Sequence, residues 1–147
     1  MTRRKIIITM EDYQQLEALL TSDVARLVSG IDRFNELQSE LNRAQIVSQD
    51  DVPADVVTMN SVVTLRDLDT NEMETYSLVY PDSADIASHK LSVLAPIGTA
   101  ILGYRVNDEL RWRVPDGWRR LKVEQVVFQP ERDGAVSSPS PLVRSIA

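Results

Sequence analysis

The chain has 147 residues, 43% of them apolar and 26% charged, which are the proportions of an ordinary globular protein with a buried core. Its net charge of −6 weighs against a general nucleic-acid binder, whose affinity comes from clustered lysine and arginine. Without cysteine there is no disulfide framework and no thiolate chemistry, and no apolar run approaches the roughly 18 residues of a membrane span. The opening MTRRKIIITMEDY holds too short an apolar run for a secretory signal, so a cytoplasmic protein is expected.

Thr9 and Asp12 open the first helix, the hydroxyl accepting an early backbone N–H and the carboxylate suiting the positive helix end. Tyr13, Leu16 and Leu20 share one face, with Leu19 beside them. Gly30 interrupts the pattern in TSDVARLVSG. A second helix is expected from Ile31 or Asp32. Ile31, Phe34, Leu37 (or Gln38), Leu41 and Ala44 follow the three- and four-residue steps of a packed seam. Asn35, Glu36, Ser39, Glu40, Asn42 and Arg43 are expected to stay wet. Roughly sixteen residues at about 1.5 Å each reach only about 24 Å. Residues 1–52 thus read as a short antiparallel helical hairpin, a small coiled coil, with Asp50 and Asp51 ending a helix or solvating the linker before Pro53.

From Val62 onward the pattern is extended: VVTLRDL, METYSLVY, LRWRV and RLKVEQVVF. Leu110, Trp112 and Val114 alternate with Arg111 and Arg113, which predicts one buried and one wet face. Asp69-Thr70-Asn71 and Pro115-Asp116-Gly117 are turn signals, the second suited to a tight hairpin. Within LSVLAPIGTAILGYRVND, Pro96 fits the first turn of a short helix, where its missing N–H costs nothing. Ala100, Ile101 and Leu102 would seal a sheet face, Gly103 permits a left-handed exit, and Asn107-Asp108 turns the chain into the next strand. Leu94 and Ala95, on the preceding loop, and Pro96 are expected to be exposed. Residues 53–130 read as an antiparallel β domain with one short helix, and 131–147, rich in Pro, Ser and Gly, as a mobile tail. The fold class is α+β.

Catalytic chemistry has little to work with. His89 is the single histidine and reads as a solvated loop residue, so no Ser-His-Asp arrangement is identifiable. With no cysteine pair and no second histidine, the usual metal signatures are missing, and no cofactor or small-molecule substrate is expected. Trp112, Arg113, Trp118, Arg119 and Arg120 form a basic, aromatic hairpin that suits a secondary contact, including a weak one to DNA. The plainer reading, favoured by the alternation, packs the tryptophans and leaves the cations solvated.

The C-terminal two-thirds resembles the C-terminal domain of the GreA/GreB transcript-cleavage factors. The matching segments include Asn60-Ser61-Val62-Val63-Thr64-Leu65, Leu78-Val79-Tyr80-Pro81, Ala95-Pro96-Ile97-Gly98, Ala100-Ile101-Leu102-Gly103 and Val114-Pro115-Asp116-Gly117. A closer resemblance, to the Rnk proteins named regulators of nucleoside diphosphate kinase, extends through Leu41-Asn42-Arg43-Ala44-Gln45 and Val56-Val57-Thr58-Met59-Asn60-Ser61. The resemblance implies an FKBP-like β domain and RNA polymerase as partner, docked at the rim of the secondary channel through the Leu94-Ala95-Pro96 loop. Where the GreB-type pattern has an acid two positions before the proline, this chain has Leu94. Gre factors also carry paired acids at the tip of a long coiled coil, which help hold a catalytic magnesium ion. Here only Asp23 and Asp32 stand at the break, nine residues apart. The expected function is a non-catalytic regulator that occupies the channel and competes with Gre-type factors. Direct nucleic-acid binding through the Trp112/Trp118 hairpin is the alternative, and prolyl isomerisation a weaker one suggested by the fold likeness alone.

Overall fold

The structure, a computed structural model, describes residues 6–21, 31–114 and 117–134, with side chains except at 31–34 and 112–114. Strand β1 (Ile7–Thr9) runs directly into helix α1 (Met10–Leu20). Thr9 Oγ1 accepts the Asp12 N–H at 3.3 Å, as the sequence leads one to expect. Helix α2 spans Ile31–Asn42, twelve residues rather than sixteen. Its expected continuation through Ala44 gives way to strand β2 (Gln45–Val47), which pairs parallel with β1, Ile8 opposite Ile46. β-Branched Ile46 and Val47 suit a strand better than a last helical turn. Leu16, Leu20, Leu37 and Leu41 are buried, and α1 packs against α2. Glu40, expected to be wet, is also buried; Arg43, one turn on, covers it with an ion pair of 3.2 Å. Ile31, Phe34 and the side chain of Asp32 fall outside the described side chains.

The main sheet comprises β3 (Val62–Asp67), β4 (Met73–Val79), β5 (Lys90–Ser92), β6 (Glu109–Val114) and β7 (Gly117–Phe128), in the order β5-β4-β3-β7-β6. The β3–β4 turn is fixed by the Asp67 carboxylate, which accepts the N–H groups of Asp69 and Thr70, and by Asn71 at φ 65°. Across β6 and β7, Val114 lies opposite Gly117; the remaining turn residues, Pro115 and Asp116, lie outside the description.

The sheet is not wholly antiparallel, because β5 pairs parallel with β4, Leu91 opposite Leu78. The intervening chain makes two 3-10 turns, Pro81–Ser83 and Ile86–Ser88, and His89 at φ 59° redirects it along β4. Alternation fails in β7 as well. Its register against β3 slips twice, so Val123 and Val126 both face inward although they are three residues apart. Two further short helices follow, α3 (Pro96–Ile101) and α4 (Pro130–Asp133). Residues 131–134, assigned to the tail on composition, are therefore placed. Arg132 donates to the Val126 and Val127 carbonyls, each at 3.1 Å, while 135–147 lie outside the description.

One core joins the helices to the sheet. Ile6, Ile8, Leu16 and Leu41 share it with Val63, Leu78, Ile101 and Val123. Each such burial contributes about 1.5–3 kcal/mol, so removing the helices would strip apolar cover from the sheet. A polar contact crosses the same junction, where the Tyr80 hydroxyl donates to Asp12 Oδ1 at 3.0 Å. Burial raises the Asp12 carboxyl most; the Tyr80 bond opposes this, Glu131 and Glu11 add to it, and it titrates at about 6.

Asp12 thus binds its proton more tightly in the folded protein. The stability this contributes is complete below about pH 4 and is lost as pH rises through about 6. Asp12→Asn, which keeps an oxygen for Tyr80, is expected to raise unfolding free energy by about 1–2 kcal/mol at pH 7.5 and to leave it unchanged at pH 4. Urea unfolding at the two pH values checks this.

Candidate functional site

The expected docking loop is a turn held from both sides. Ser92, the last residue of β5, accepts the Leu94 N–H on Oγ and the Ala95 N–H on its carbonyl, each at 3.0 Å. Val93 donates to the Val79 carbonyl at 2.9 Å and accepts the Thr99 hydroxyl at 2.7 Å. Gly98 brings α3 so close that a Cβ there would lie 2.1 Å from the Ser92 carbonyl oxygen. Pro96 occupies the first turn of α3, as its fixed φ favours.

The turn presents Pro96 but not Leu94. Pro96 is exposed and Ala95 half-buried, whereas Leu94 is only 4% exposed, contrary to expectation. The Ser92 clamp folds the chain back on itself, so Val93 and Leu94 both enter the core. The remainder of the stretch follows the sequence reading. Ile101 and Leu102 are buried, and Gly103, at φ 88°, packs against the Ile6 backbone.

On the β6–β7 hairpin, Trp118 is 53% exposed, so the packed reading fails for it. Its ring carries the Arg111 guanidinium at 4.6 Å from the centroid. Neighbouring residues of a strand face opposite ways, and the cations divide accordingly. Arg119 joins Asp67, its Nε 2.8 Å from Oδ2, while Arg120 meets Asp69 at 3.4 Å. The side chains of Trp112 and Arg113 lie outside the description.

Between Ile97 and the β3–β4 hairpin the inner sheet face opens into a cleft of about 280 Å³, lined also by Leu65, Asp67, Glu72, Glu74, Tyr76, Arg119 and Leu121. Burial disfavours charge on Asp67 more than any other single influence. The Asp69 N–H, the Arg119 guanidinium and the Thr70 N–H together still hold its carboxyl below the usual range. The Tyr76 hydroxyl donates to Glu74. Among the described residues Tyr76 is the one aromatic side chain in its lining. The sequence reading passed over this cleft. Its one available signal is Asp67, a carboxylate in phase with buried Val63 and Leu65.

His89 is exposed, with Nδ1 2.9 Å from the Thr75 carbonyl and its ring 5.3 Å from that of Tyr76. Among the described residues no group of three or more His, Cys, Asp or Glu side chains is arranged to hold a metal ion. Asp23 lies outside them.

Residues 52–128 match the family described as transcription elongation factor GreA/GreB, C-terminal, and residues 4–47 match the Rnk N-terminus. The chain is 39% identical over 135 residues to the regulator of nucleoside diphosphate kinase of Escherichia coli K12, across 91% of this chain and 97% of that protein. It belongs to the Rnk proteins of the GreA/GreB family. Over 95 residues it is 40% identical to transcription elongation factor GreA of Syntrophotalea carbinolica, covering 65% of this chain and 58% of that one. A solved GreA/GreB elongation factor from Nitrosomonas europaea superposes with a TM-score of 0.74 at 35% identity, over 86% of this chain and all of that one. The family resemblance and the mixed α+β architecture with a five-stranded sheet both hold.

Burial separates the roles of the two turn residues. Leu94→Ala is expected to lower stability by about 2–4 kcal/mol. Pro96→Ala, at an exposed site, should change it by less than about 1 kcal/mol. Denaturant midpoints of the two variants test the assignment.

Proposed function

We propose that this protein is a non-catalytic transcription regulator that binds RNA polymerase at its secondary channel and competes there with Gre-type factors. The observation that carries the reading is Pro96. It is the exposed member of the Leu94-Ala95-Pro96 turn, held by the Ser92 and Thr99 hydrogen bonds in a chain of the GreA/GreB family. Leu94 serves as the buried anchor of that turn, and Ala95 flanks the contact.

In this reading α1 and α2 form a short antiparallel hairpin on an FKBP-like domain. Helices of 11 and 12 residues reach about 17–18 Å, enough to enter a channel mouth. The protein then works by occupancy, in the cytoplasm, without cutting RNA. A secondary contact to DNA through Trp118 and Arg120 has support in the exposure of that ring, with Arg111 stacked on it. Arg119 could join only by leaving Asp67.

Purified protein is expected to bind core polymerase, to be displaced by excess GreB, and to suppress GreA-stimulated cleavage. Pro96→Asp should weaken that binding about ten-fold or more with stability unchanged. Unaltered binding by the folded variant would show that the turn is not the contact. A steep loss of affinity for single-stranded DNA with salt would favour the nucleic-acid contact.

A further inference from the structure

The cleft beside Ile97 holds more negative charge than its own cation can balance. Leu65 lies opposite Glu74 in the β3–β4 register, and Asp67 opposite Leu121 in β3–β7, so these side chains share the inner face. Leu65 and Leu121 are buried and make an apolar floor; Tyr76 and Ile97 are half-buried walls; Glu72 and Glu74 are exposed at the rim. Among the described residues Arg119 is the one basic side chain in the lining. It is committed to Asp67, whose side chain is 7% exposed. That pair is neutral, which leaves the two glutamates. The charge of Glu74 also reaches Tyr76: burial first, then the hydrogen bond and charge of Glu74, push its phenol up to about 12.

We infer that this cleft receives one lysine or arginine side chain from the protein partner that meets Pro96. A long cationic side chain lays its methylene stem on apolar surface and carries its head to the edge, which matches a leucine floor with a carboxylate rim. An acidic occupant would face two like charges, and a purely apolar one would strip water from both carboxylates without pairing them. Arg119 demonstrates the fit at one end, where a guanidinium already lies against Asp67. Ile97 follows Pro96 directly, so a partner seated on the proline has the cleft within one residue of its contact.

This inference rests on the polymerase reading, and its test separates the two. Glu72→Gln/Glu74→Gln removes the rim charge and keeps an acceptor for Tyr76. Core-polymerase affinity is expected to fall about ten-fold. A charge-matched control, Asp50→Asn/Glu109→Gln, should leave it unchanged. Equal weakening by both double variants would mean general electrostatic attraction and overturn the cleft assignment, as would no weakening by the rim variant while Pro96→Asp still weakens binding. Independently of polymerase, titration of the 15N-labelled protein with N-acetyl-arginine amide should shift the Glu74, Tyr76 and Ile97 amides. The rim variant, and N-acetyl-glutamine amide on the wild type, should give no such shifts. Absence of those shifts in the wild type overturns the inference. Their presence without polymerase binding sustains the cleft and sinks the polymerase reading.

Discussion

Helix α3 approaches β5 so closely that a methyl group at position 98 would meet the Ser92 carbonyl oxygen at 2.1 Å, and the turn between them takes its shape from that approach. Glycine is what permits it. Ser92 then spends its hydroxyl and its carbonyl on the backbone of the turn, and Thr99 ties the far side to Val93. A loop so constrained has little conformational entropy left to lose, which suits the docking role proposed for its exposed proline. Leu94 is part of that constraint. Its burial converts a residue that sequence position alone offers to solvent into the peg beneath the exposed proline.

Much of the fold was legible because it depends on local physics. Thr9 capping α1, the Leu16/Leu20 and Leu37/Leu41 stripes, Pro96 opening α3 and Gly103 turning left-handed each follow from a few neighbouring residues. What was not legible depends on pairing over distance. Strands β1 and β2 hold three residues each, too few for a period to declare itself. The direction of β5 is set by a turn at His89, and the inward phase of Val126 by slippage against β3. The cleft was the least visible feature. It joins Asp67 to Arg119, 52 positions later, and no local spacing announces such a pair.

Charge is apportioned by strand face rather than by sequence run. Read linearly, residues 111–122 form a cationic block with two tryptophans. Folded, Arg119 turns inward to Asp67, Arg120 meets Asp69, and Arg111 lies on Trp118. Surface ion pairs such as Arg120–Asp69 are worth about 1 kcal/mol or less and exchange readily with a competing anion. The more buried Arg119–Asp67 pair also braces the β3–β4 turn, because the same carboxylate holds the Asp69 and Thr70 amides. Losing it would loosen the turn that carries the rim glutamates.

The parallel β1–β2 clasp gives the helices an unusual footing. Strand β1 feeds α1, β2 takes up the chain after α2 in the same direction, and the Gln45 N–H closes on the Ile6 carbonyl at 2.8 Å. Both helices are therefore tied to one two-stranded footing. A change that parted those two strands would unseat the start of α1 and the exit of α2 together, so both helices share a single point of failure.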